Sequence, residues 1–72
     1  MEWQEIEDDL FDGTIEEMNK IICPECRGNI RFEYNEGNFK IECISCHTTV
    51  KMYKAPIPNC VEHFGNEYTI GK

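Results

Sequence analysis

Four of the five cysteines fall in two pairs, Cys23-Pro24-Glu25-Cys26 and Cys43-Ile44-Ser45-Cys46, with sixteen residues between the pairs and Cys60 left over. Two C-x-x-C pairs at this separation have the spacing of a four-cysteine metal site. Two intervening residues let the chain turn so that both sulfurs face one point, and two such turns supply a tetrahedron with metal–sulfur distances near ~2.3 Å. Cys23, Cys26, Cys43 and Cys46 are therefore the candidate metal ligands. Pro24 presets φ inside the first turn, and Gly28 offers a residue tolerant of positive φ just beyond it. Backbone N–H groups of the turns offset the thiolate charge. One zinc ion is expected; iron suits the same four thiolates and stays open as the alternative. A closed shell of four sulfurs leaves no position for water or substrate, so the metal is expected to be structural.

Other uses of these residues fit less well. A reducing compartment and an odd number of cysteines argue against disulfides. A thioredoxin-type C-x-x-C opens a helix in a βαβ unit, whereas both pairs here are flanked by strand-like residues. Cys60 and His63 form a C-x-x-H pair, but only His47 remains to join them, so Cys60 reads as a buried, inert thiol. His47, directly after Cys46, reads as an exposed histidine at a strand start because the shell is already complete. No Gly-rich phosphate loop and no supported Ser/His/Asp set exist, so no catalytic residue and no enzyme activity are expected.

The pairs must be positioned by what lies between them. Ile30, Phe32 and Tyr34 alternate with Asn29, Arg31 and Glu33; Asn35-Glu36-Gly37-Asn38 turns; Phe39, Ile41 and Cys43 then alternate with Lys40 and Glu42. Centring the turn on Glu36-Gly37 sets Tyr34 opposite Phe39, Glu33 opposite Lys40, Phe32 opposite Ile41 and Arg31 opposite Glu42. One face becomes apolar, and the other carries two opposite-charge pairs, which would neutralise Arg31 and Lys40. His47 to Tyr53 is β-branched and alternating and should form a third antiparallel strand. Ala55-Pro56-Ile57-Pro58-Asn59 is extended and cannot pair as a central strand. In the remainder, Phe64, Tyr68 and Ile70 are the sizeable apolar anchors; Tyr68-Thr69-Ile70 fits a strand or a packed coil.

The chain has 72 residues and a formal net charge of −7. Such a length is marginal on hydrophobic burial alone, which makes a metal staple expected. Eight acidic side chains and one basic one occupy the first twenty residues, while the remaining residues balance at six and six. Trp3, Ile6 and Leu10 form one helical stripe, and Phe11, Ile15, Met18 and Ile22 a second. Asp12-Gly13 separates them, and Thr14 with Glu17 makes a capping box. A helix, a break and a short second helical turn are expected. The first stripe should cover the sheet, with docking to a partner as its other use.

The segment Ile22 to Thr48 resembles the zinc-ribbon superfamily, over about half the chain. That resemblance implies a three-stranded sheet with the metal between two knuckles, and roles in transcription, translation or complex assembly. Phe39, Ile41, Cys43, Cys46 and Thr48 are also similar to the second knuckle of the Com family of phage zinc-ribbon translational regulators, which bind mRNA. Those proteins start close to the first knuckle and lack an acidic arm and a long tail.

The expected fold class is a small α+β, metal-stapled domain: a zinc ribbon with a three-stranded antiparallel sheet plus an acidic N-terminal helix. Residues 1–20 form the acidic segment, 21–54 the ribbon and 55–72 an irregular tail. The expected function is that of a non-enzymatic adaptor or regulator, monomeric, with protein partners favoured by the acidic excess. The alternative is a nucleic-acid-binding regulator using Arg27, Arg31, Lys40, Lys51 and Lys54 with Tyr34, Phe39 and Tyr53 as stacking platforms. No run of eighteen apolar residues exists, and Met1-Glu2-Trp3-Gln4-Glu5 lacks the regions of a signal peptide, so a cytoplasmic location is expected.

Overall fold

A computed structural model describes residues 2–71. Met1 and Lys72, which bound the acidic segment and the tail, lie outside the described residues. Helix α1 (Trp3–Asp12) is followed by α2 (Ile15–Asn19), β1 (Ile30–Asn35), β2 (Asn38–Cys43), β3 (Thr49–Met52), α3 (Asn59–Phe64) and β4 (Glu67–Thr69). The Thr14 side chain accepts from the Glu17 N–H, and the Glu17 carboxylate accepts from the Thr14 N–H (3.2 Å each), so the capping box starts a new helix just past the break. Ile6, Leu10 and Met18 are fully buried. The first stripe therefore covers the sheet. The second is only partly right: Ile15 and Ile22 are exposed, and Ile21 is buried instead. Helix α2 ends at Asn19, so helical periodicity no longer governs the residues beyond it.

The hairpin register is the one expected, from Asn35↔Asn38 through Tyr34↔Phe39 and Glu33↔Lys40 to Ile30↔Cys43. Glu36 (φ 49°) and Gly37 (φ 83°) both have positive φ, as a two-residue type I′ turn requires. Gly37 adopts this freely; Glu36 is strained. Glu36→Asn should therefore raise stability by about 1 kcal/mol, read as a higher melting temperature of the metal-loaded protein.

The sheet has four antiparallel strands in the order β3-β2-β1-β4, not three. Residues 55–72 are not an irregular tail: they carry α3 and β4. The prolines do keep the chain extended up to Pro58, but Gly65 (φ 96°) then turns it back along the free edge of β1. Arg31↔Thr69, Phe32↔Tyr68 and Glu33↔Glu67 pair there, flanked by bonds from the Tyr34 N–H to the Asn66 carbonyl and from the Ile70 N–H to the Ile30 carbonyl (2.8 Å each). An unpaired row of N–H and C=O groups on β1 is thereby satisfied.

The helices lie on one face of the sheet, where Phe32, Phe39, Ile30 and Ile41 meet Ile6, Leu10, Met18, Cys60 and Ile70 in one core. Phe11 packs edge-on against Phe39, at 5.4 Å between centroids and 78° between planes. The opposite face is open and polar. There the charge pairing differs from expectation. Arg31 pairs with Glu33 (3.2 Å) and Glu67, not with Glu42, because β4 brings Glu67 alongside. Lys40 makes no ion pair among the described residues and instead lies opposite Lys51 of β3.

Candidate metal centre

Each cysteine pair sits where the sheet ends: Cys26 leads into β1, and Cys43 is the last residue of β2. The two turns are built alike, twenty residues apart. The Cys23 N–H donates to the Gly28 carbonyl and the Cys43 N–H to the Thr48 carbonyl, both at 3.0 Å. The Arg27 N–H returns to the Cys23 carbonyl and the His47 N–H to the Cys43 carbonyl, both at 2.9 Å. Arg27 (φ 61°) and His47 (φ 65°) close the turns in the left-handed region. Positive φ thus falls on Arg27, one residue before the glycine expected to carry it.

Gly28 serves a different need. A Cβ there would lie 2.5 Å from Ser45 Oγ, 2.8 Å from Ser45 Cβ and 3.3 Å from Cys26 Sγ. The first knuckle needs a glycine so that the second can approach. Gly28→Ala should destabilise the metal-loaded protein by about 1–3 kcal/mol and speed metal loss to a chelator. Adding Ser45→Gly should restore much of both, as a double-mutant cycle would record.

The four sulfurs lie within 4.8 Å of one another, the sole such grouping of three or more metal-binding side chains among the described residues. Sulfurs pair across the knuckles, Cys23 with Cys46 at 3.6 Å and Cys26 with Cys43 at 3.4 Å. A regular tetrahedron with metal–sulfur bonds of ~2.3 Å has edges of about 3.8 Å, so a cation needs only a small adjustment of these positions. The donor set fits a metal ion.

Every sulfur also has a backbone donor. The Glu25 N–H reaches Cys23 Sγ and the Cys46 N–H reaches Cys43 Sγ, both at 3.4 Å; Gly28 and Thr48 N–H groups serve Cys26 and Cys46. The Thr48 hydroxyl donates to the Glu25 carboxylate at 2.7 Å and lies within hydrogen-bond distance of Cys46 Sγ at 3.2 Å. Together the Thr48 hydroxyl and N–H hold the Cys46 thiol down at about 6. The Gly28 N–H draws Cys26 the same way, but the Cys43 sulfur, burial, and the Cys46 and Cys23 sulfurs outweigh it and push Cys26 up to about 12. Cys46 thus ionises readily while Cys26 resists. A cation at the centre removes that resistance, because it favours every thiolate at once.

The sequence placed the four cysteines but missed Glu25 and Thr48 beside the sulfurs and Ser45 packed against Gly28. Laying one knuckle on the other at an offset of twenty residues matches Glu25 with Ser45 and Gly28 with Thr48. Across the site the earlier position of each knuckle meets the later position of the other: Glu25 meets Thr48 and Ser45 meets Gly28. Cys60 and His63 do not join the cluster. Cys60 is fully buried in the core and His63 is exposed, one turn later on α3. Burial pushes the Cys60 thiol up to about 12. The folded chain therefore keeps a proton that the unfolded chain sheds above the ordinary value of 9.0, and stability should fall as pH rises from about 9 towards 12. Cys60→Ala should flatten that limb of the pH–stability curve.

No described helix is long and apolar enough to cross a membrane. No family model matches the chain, and neither the curated proteins nor the solved structures searched contain a match. The likeness to zinc ribbons and to the Com family rests on the cysteines and the hairpin. The chain is a small α+β domain whose four-cysteine cluster is positioned to bind a metal ion.

Proposed function

We propose that this chain is a zinc-stapled, non-enzymatic adaptor or regulator that acts in the cytoplasm through contacts with a protein. The observation that carries the reading is the acidic helical layer. Glu2, Glu5, Asp8 and Asp12 of α1 and its cap, with Glu16 and Glu17 of α2, are all exposed, while Ile6, Leu10 and Met18 of the same helices are buried in the core. Asp9 is held above the ordinary carboxylate value by burial first and then by Glu17, Glu5 and Asp8. So dense a field of carboxylates is complementary to a basic protein surface. Four protein sulfurs complete the coordination of a zinc ion, which supports a structural metal and a binding role.

Elemental analysis of natively purified protein should find one zinc per chain in a colourless sample; a coloured iron centre or no metal would overturn the assignment. For the partner, affinity capture should yield a protein that survives nuclease and is lost with Glu5→Lys/Asp8→Lys/Asp12→Lys. Capture abolished by nuclease would overturn the protein reading. One observation favours a second reading, nucleic-acid binding through the sheet: Lys40, which the hairpin alone would have neutralised, has no carboxylate partner among the described residues.

A further inference from the structure

The basic face assembled from the sequence comes apart in three dimensions, and what survives is concentrated in one place. Phe39 is buried in the core, and Tyr34 is half-buried with its hydroxyl donating to the Ala55 carbonyl (3.0 Å). Arg31 is spent on Glu33 and Glu67, and Arg27 belongs to the knuckle at the other end of the sheet. Lys40, Lys51 and Tyr53 remain together on the open face beside the hairpin tip. With Glu33, Asn35 and Asn38 they line a concavity of about 260 Å³. Lys54 adjoins them, since the Ala55 N–H donates to the Gly37 carbonyl (2.8 Å) and ties the end of β3 to the turn.

Two features of this concavity ask for an anion carrying a ring. Lys40 and Lys51 occupy directly opposed positions on β2 and β3, where like charges oppose folding unless something lies between them. Glu33 stands opposite Lys40 and lines the same concavity, but its hydrogen bond goes to Arg31 at 3.2 Å and it makes no ion pair with either lysine among the described residues. Next to this pair Tyr53 is 71 % exposed, the most open large apolar side chain among the described residues. An open phenol ring just past the end of β3, lining the same concavity as two ammonium groups, offers a stacking surface beside a phosphate site. The carboxylates of α1 and α2 belong to the helical layer on the opposite face of the sheet, with the core between them and the concavity.

We propose that this concavity binds one nucleotide unit of single-stranded nucleic acid. Lys40 and Lys51 take its phosphates, Lys54 an adjoining one, and Tyr53 stacks on the base. The carboxamides of Asn35 and Asn38, each both donor and acceptor, meet the base edge. This site deepens the second reading above and depends on it.

The test uses the metal-loaded full chain and a fluorescently labelled single-stranded oligouridylate, followed by anisotropy across a salt series. With two to three phosphates engaged, log K should fall against log[salt] with a slope of about −1.4 to −2. Lys40→Gln and Lys51→Gln should each flatten that slope by about 0.7. Tyr53→Ala should weaken binding on the order of tenfold with the slope unchanged. Metal content and melting temperature verify that each variant is folded, which substitutions outside the buried core permit. Binding that ignores these substitutions but falls with Arg27→Gln would leave the second reading standing and overturn this site. Equal affinity for duplex, for uridine monophosphate or for a phosphoserine peptide would overturn the assignment to a single strand, as would no binding at low salt.

Discussion

A strong chelator is expected to unfold the sheet cooperatively, and Cys43→Ser to do the same with no chelator present. Cys23 and Cys43 are not at the margin of the domain: both are fully buried members of the same core as Phe32 and Leu10, and Cys43 pairs with Ile30 across the hairpin. Structural zinc contributes on the order of 10 kcal/mol or more of apparent binding free energy, as much as the whole stability of a domain this small. Without the ion, four thiols stand 3.4–3.6 Å apart across the knuckles with little to hold them. Two left-handed residues, Arg27 and His47, then lose the reason to stay in that conformation. Acid should act like the chelator. Metal-bound cysteines carry no protons whereas the unfolded, metal-free chain binds four, so stability falls as pH falls. Circular dichroism and melting with and without chelator decide the matter. A cooperative melt that is indifferent to chelator, with Cys43→Ser within a few degrees of wild type, would show that the apolar core stands alone. Cys46→Ser, at an exposed ligand, should cost less than Cys43→Ser, because a buried hydroxyl adds its own desolvation penalty.

What was legible in the sequence was local. The knuckles, the turn at Glu36-Gly37 and the capping box of Thr14 and Glu17 each span a few residues, and their patterns specify geometry without help from the rest of the chain. The hairpin register followed because alternation and turn position agree, and a slip by one residue would turn Phe32 and Ile41 out to solvent. What was not legible depended on partners distant in sequence. Glu67-Tyr68-Thr69 is too short for alternation to mark it; it becomes a strand because β1 offers a free edge. The ion pairs failed for the same reason. Glu42 faces Arg31 across the hairpin, yet the guanidinium turns to Glu33 and to Glu67 of β4. Likewise Lys40 was matched only with Glu33, since the register of β3, which sets Lys51 beside it, could not be fixed by a turn. At the metal centre the ligands declare themselves by spacing. Glu25, Ser45 and Thr48 do not, because their roles arise from one knuckle facing the other.

A chain ending at Lys54 would keep all four metal ligands and all three strands read from the sequence, and it is expected not to fold. Truncation there strips β1 of its outer partner, leaving the Tyr34 N–H and the Ile30 carbonyl without their bonds to Asn66 and Ile70. It removes Pro58, Cys60, Val61 and Ile70, all buried, and it takes Phe64 and Tyr68 away from Phe32 (6.4 and 6.1 Å between centroids). The Asn59 carboxamide, which donates to the Gly13 carbonyl at 3.1 Å and fastens α3 to the break between the first two helices, goes as well. Each buried aliphatic side chain contributes about 1.5–3 kcal/mol, against a total stability of about 0.05–0.15 kcal/mol per residue. The loss therefore exceeds what the domain has to give. The fragment should still take up a metal ion through its two knuckles, but show no cooperative melt and poorly dispersed amide resonances. Ile70→Ala in the full chain gives a graded version, expected to cost about 2–5 kcal/mol with metal binding retained. If the fragment melted cooperatively within a few degrees of the whole chain, α3 and β4 would be appendages and the three-stranded ribbon the folding unit. The observed pairing of β4 along β1, and the burial of Ile70 in the shared core, argue that the cysteine cluster closes one end of this domain and the C-terminal segment closes its side.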